Sequence, residues 1–177
     1  MRLISLGRLG LDELVSDHLK TWVEEDRPGV WRRSPSDYIV FLGLPALCGS
    51  VVVLRGIRIW SPDALLAGAS IITGLLFGLL IHVLSLGLQL EGNDRVAPGS
   101  RLAILVGELR ANVAWSCGVG LVLSGLLAGA GSFVKDLDNV GINPVYTGIV
   151  CALTVHLGLT LMMILKRVRS SYKMLSK

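Results

Sequence analysis

The sequence predicts an all-α, polytopic membrane protein with four transmembrane helices, cytosolic helical extensions and an N-terminal amphipathic helix. Three observations predict it. Of the 177 residues, 52% are hydrophobic; mean hydropathy is +0.65; and four apolar stretches approach the length of about 20 residues that a membrane helix needs. Asp12, Glu13 and Asp17 interrupt the first apolar residues, so no signal peptide is expected. Residues 1–33 are read as a cytosolic amphipathic segment and residues 34–177 as the transmembrane domain.

The expected spans are residues 38–54, 64–84, 111–133 and 144–165. Helix-start chemistry supports them. Ser34-Pro35, Ser61-Pro62 and Asn143-Pro144 each set a capping side chain before a proline suited to the first helical position. The first span is short, and Pro45 between Gly43 and Gly49 predicts a kink. Ser100 is a cap well before residue 111, so the third helix is expected to start as an amphipathic stem. The second helix is expected to run on to Gln89 and the fourth toward Met174.

Orientation follows from the basic residues. The N-terminal tail, the middle loop and the C-terminal tail hold fourteen of the 17 Lys and Arg, whereas the two other loops hold only Arg55, Arg58 and Lys135. Basic loops stay cytoplasmic, which predicts both termini inside. The net charge of +4 thus reads as topology, and no direct nucleic-acid binding is expected.

Ahead of the first span, Leu11, Leu14, Val15, His18, Leu19, Trp22 and Val23 recur at helical spacing, with Asp12, Glu13, Asp17, Lys20 and Glu24 opposite. Its acids disfavour an anionic membrane surface, so packing against the basic helix extensions is expected. Trp22 is a candidate partner contact. Trp31, Arg32 and Arg33 form an aromatic-basic cluster suited to lipid headgroups.

The four spans contain no Asp, Glu, Lys or Arg. Coupled transport and intramembrane hydrolysis call for an acid, a metal cluster or a nucleophile with its base, so an enzyme is not expected. Cys48, Cys117 and Cys151 form no Cys-x-x-Cys pair, and neither a metal nor a cofactor is expected. What the spans share is small, weakly polar stripes at four-residue spacing: Ser70, Gly74, Gly78 and His82; Ser116, Gly120, Ser124 and Ala128; Gly148, Ala152, His156 and Thr160. Such stripes let helix backbones approach closely, or line a narrow pathway. A hydrogen bond from His82 to Asn112 is expected between the second and third helices. His156, deeper in the bilayer, is expected to be a neutral imidazole bonded to a hydroxyl or a carbonyl.

Tyr38 after a polar Ser-Pro start, the small-residue second helix, "ELRANVAW" and "HLGLTLMMILKRV" give residues 36–170 an architecture that resembles the small four-helix membrane proteins of bacterial antiphage defence. These include the Kiwa membrane component and the transmembrane effectors linked to CRISPR and cyclic nucleotides. The resemblance implies a bacterial inner-membrane location. With the residue reading it leads to a non-enzymatic homo-oligomer that forms a pore, perturbs the bilayer or anchors a cytosolic protein. The alternative is a channel or transporter subunit with a small-residue-lined pathway.

Overall fold

Local capping chemistry marks where two of the three long helices begin. The computed structural model describes residues 10–21, 23–27, 30–33, 38–92, 100–134 and 141–175, almost all of them helical. Helix α1 is Leu11–Lys20, followed by a hairpin of β1, Val23–Arg27, and β2, Val30–Arg33. A π-helical turn, Ile39–Gly43, leads into α2, Leu44–Leu54; then come α3, Asp63–Glu91, α4, Arg101–Val134, and α5, Pro144–Leu175. Ser100 Oγ accepts from the Ala103 amide at 3.3 Å and Asn143 Oδ1 from Val145 at 2.9 Å, capping α4 and α5. Pro62 is itself the cap residue of α3, and no side chain bonds there.

Helices α3, α4 and α5 are long and apolar enough to cross a membrane, and the exposed Ile71, Leu75, Ile81 and Leu88 of α3 present an apolar surface suited to lipid. These features describe a membrane protein. The first apolar stretch is shorter. From Ile39 to Leu54 it rises roughly 24 Å at about 1.5 Å per residue, and it falls outside the set of three. Its expected kink takes the form of the π turn directly before Pro45. Proline has no N–H for the carbonyl four residues back, and Leu44 N–H reaches instead to Ile39 O, the π pattern.

The helices pack in the order α3, α4, α5, α2, with α1 against α4. Their buried faces repeat every seven residues. Ala69, Leu76 and Val83 form the seam of α3, and Val150, Leu157 and Ile164 that of α5. Central α4 carries two seams, Val106, Val113, Gly120 and Leu127 beside Leu109, Ser116, Leu123 and Ala130, all buried. Seven-residue spacing belongs to the shallow left-handed crossing of membrane bundles.

Glycine permits the closest approaches. A Cβ on Gly49 would stand 2.7 Å from the Gly148 carbonyl oxygen, and one on Gly148 would stand 2.8 Å from that of Gly49. Backbone thus lies on backbone where α2 crosses α5. At Gly120 the position of a Cβ is already taken by Thr73 of α3.

The N-terminal segment departs from the expected single helix. It ends at Lys20, and Val23 opens a strand in register with Arg33, with Glu24 opposite Arg32 and Glu25 opposite Trp31. Trp22 lies outside the described residues.

Alanine at Gly49 or Gly148 is expected to destabilise the protein by roughly 1–3 kcal/mol through overpacking. Alanine at Gly74, where nothing lies within 4 Å of the new Cβ, is expected to change stability by less than about 0.5 kcal/mol. Reversible unfolding in mixed lipid–detergent micelles measures both, and equal effects at the three positions would contradict this packing.

Candidate functional site: a buried polar junction of α1, α4 and α5

Polar side chains gather where α1, α4, α5 and the π turn meet. Asn112, Ser116 and Thr160 have no exposed surface, and His18, Thr21 and His156 are buried. Trp115 Nε1 donates to His156 Nε2 at 2.8 Å, and His156 Nδ1 lies 2.9 Å from the Phe41 carbonyl oxygen. Indole N–H can only donate and a carbonyl can only accept, so His156 is the neutral tautomer with its proton on Nδ1. Both ring nitrogens are committed. Phe41 is the residue four before Pro45, so the imidazole donates to the carbonyl that proline cannot serve.

His18 sits against the other side of this pair. Its ring stacks on Trp115 at 5.0 Å between centroids and 12° between planes, and meets the His156 ring edge-on at 6.2 Å. Asn112 Oδ1 accepts from His18 Nδ1 at 2.9 Å, and the Thr21 hydroxyl lies 2.9 Å from the same oxygen. Arg167 closes the junction from α5: it pairs with Glu108 and donates to Thr21 O at 2.6 Å. The guanidinium thereby meets the carbonyl end of α1, where a cation is favoured.

Burial pushes the His18 imidazole down to about 4, with the Asn112 hydrogen bond opposing that shift and the Arg167 charge adding to it. Among the described residues no group of His, Cys, Asp and Glu could hold a metal ion. Thr160 Oγ1 donates to the His156 carbonyl oxygen, not to the imidazole. As arranged, these residues can fasten α1 to the bundle; they form no nucleophile–base pair.

The expected stripes divide. Gly148, Ala152, His156 and Thr160 lie on the packed face of α5, and Ser116 and Gly120 are buried in α4 with Ser124 half-buried. Ser70, Gly74, Gly78 and His82 are exposed on α3, which meets α4 through the neighbouring face of Ala69, Thr73, Leu76 and Val83. The expected bond between His82 and Asn112 is replaced by the bonds of Asn112 to His18 and Thr21. Glu108 is half-buried against Arg167. Helix α1 meets α4 at Asn112, Trp115 and Gly118, and its end meets the basic extension of α5 at Arg167. Sequence reasoning missed Trp115, Thr21 and Arg167 as members of this junction; the polar Asn112 at the start of a span was the signal that a partner was needed. Trp31, Arg32 and Arg33 lie on β2.

Two outcomes follow from this geometry. His18 is neutral when docked and has an ordinary value of 6.5 when released, so its contribution is complete above pH 6.5. It is lost as pH falls toward 4, by about 3 kcal/mol at most. Amide exchange across α1 should therefore accelerate over that window in the native protein and not in His18→Gln. Second, His156→Leu should cost less in a Pro45→Ala background, because alanine restores the missing N–H. A double-mutant cycle is expected to show coupling of about 0.5–3 kcal/mol, and additivity would contradict the bond to Phe41.

No family model, curated protein or solved structure matches the chain.

Proposed function

We propose that the chain is a non-enzymatic, homo-oligomeric protein of the bacterial inner membrane, crossing it four times with both termini in the cytoplasm. In this reading α2 is the fourth crossing. The distribution of Lys and Arg supports the orientation. The observation that carries the oligomer is the exposed face of α3, where Ser70, Gly74, Gly78 and His82 lie away from α4. Small residues offer a second helix close backbone contact, and an imidazole on the outside of a membrane helix calls for a polar partner. A second copy, bringing the same face, supplies both.

The function that follows is a membrane effector, a pore or depolarising assembly, acting in antiphage defence; the architecture-level resemblance supports that role. Anchoring of a cytosolic protein through residues 1–33 is compatible with the same assembly. A channel or transporter subunit with His156 in its pathway is less well supported, since both nitrogens of that ring already bond to protein.

Gly74→Leu with Gly78→Leu is expected to yield a folded monomer by native mass spectrometry and to abolish the dye-detected depolarisation of cells in which the protein is active. A native protein that is monomeric in lipid, or active cells that keep their membrane potential, would overturn the reading.

A further inference from the structure

Helix α2 packs mainly on α5, and the register of that seam is antiparallel. Val53 reaches Gly148, Gly49 stands against both Gly148 and Ala152, and the Phe41 carbonyl meets His156. Along this register Cys48 and Cys151 stand level with one another. They also turn to the same side. Each is the residue before one of the facing pair Gly49 and Ala152, and one step back along two antiparallel helices turns by about 100° toward the same flank of the crossing. The two cysteines are electrostatic neighbours as well.

Ordinary packing, with helix axes about 8–10 Å apart, holds two such thiols beyond the reach of a disulfide, which needs Cα atoms about 4.4–6.8 Å apart. This crossing is tighter. A Cβ on Gly49 would stand 3.1 Å from that of Ala152 and 2.7 Å from the Gly148 carbonyl oxygen, so backbone touches backbone. Cys48 and Cys151 are free thiols and both half-buried, whereas Cys117 is sealed in the core. Cys151 lies seven residues past Pro144, about 10 Å inside the apolar stretch of α5. An oxidant that reaches it there must dissolve in lipid.

We propose that Cys48 and Cys151 are a dithiol site for a lipid-soluble oxidant of the quinone class, and that the product is a disulfide clasping α2 to α5. Two S–H bonds break and one S–S bond forms; the two electrons and two protons released pass to the quinone, which leaves as the quinol. The clasp closes beside the contact of Gly49 with Gly148 and secures a helix otherwise held along one seam. The inference rests on the membrane embedding of α5, and not on the oligomer or on the number of crossings.

The test is a thiol count on the native chain, reduced and reconstituted in liposomes, then treated with a fully substituted, short-tailed benzoquinone and unfolded in detergent. The count is expected to fall from the three cysteines of the reduced chain to one, with the peptides of Cys48 and Cys151 joined within a single chain and one quinol formed per link. Amide exchange over α2 is expected to slow several-fold. Moving the thiol with Cys48→Ser and Leu47→Cys, onto the exposed side of α2, is expected to reduce linking about tenfold. Equal linking in that variant, links between chains, or no link even with molecular iodine would overturn the pairing. A link with iodine and none with quinone would overturn the oxidant class, and unchanged exchange over α2 once linked would overturn the clasp. Oxidised glutathione stays in water and is expected to leave the count at three; linking by it as fast as by quinone would overturn the embedding.

Discussion

The bond from His156 to the Phe41 carbonyl oxygen is the constraint around which the structure is arranged. Pro45 withholds the N–H that an α-helix would give that carbonyl. The imidazole on α5 answers it at 2.9 Å. Donating from Nδ1 leaves Nε2 as an acceptor, which fixes the indole of Trp115 on α4. The orientation of that indole in turn provides the flat surface on which His18 of α1 stacks. One proline thus propagates through three side chains to four elements.

Packing and polarity cooperate at this junction. The backbone contact of Gly49 with Gly148 lies two turns from Phe41 along α2 and two turns from His156 along α5. The antiparallel register that brings the glycines together therefore also brings the imidazole to its carbonyl. In lipid, where apolar surface gains little from leaving its surroundings, close contact and hydrogen bonds select the register. Central α4 receives α3 on one seam and α5 on the other, while its polar flank receives α1.

Much of the helical framework was legible in the sequence because capping is local. Ser100 and Asn143-Pro144 act where they stand, and helix α3 continues to Glu91 and α5 to Leu175, beyond the apolar runs. The packed stripe of α5 was legible for a similar reason, with glycine and histidine together on one face. On α3 the same composition misleads. Lipid accepts either face of an apolar helix, and the seven-residue repeat of Ala69, Leu76 and Val83 marks the buried one better than the four-residue stripe of small residues. The pair of His18 and Asn112 joins residues 94 apart, and only tertiary placement brings a short acidic helix to that level. The π turn was half legible: Pro45 predicts a disturbance, but its form depends on a donor more than a hundred residues away.

The functional reading depends on this geometry in one respect. An imidazole whose two nitrogens bond to Trp115 and Phe41 acts as a structural post, which assigns any conduction to surfaces elsewhere. Nitrogen-15 NMR of His156 in lipid at neutral pH measures this most directly. A proton on Nδ1 with an unprotonated, hydrogen-bonded Nε2 is the predicted result; a proton on Nε2, or an imidazolium, would contradict it.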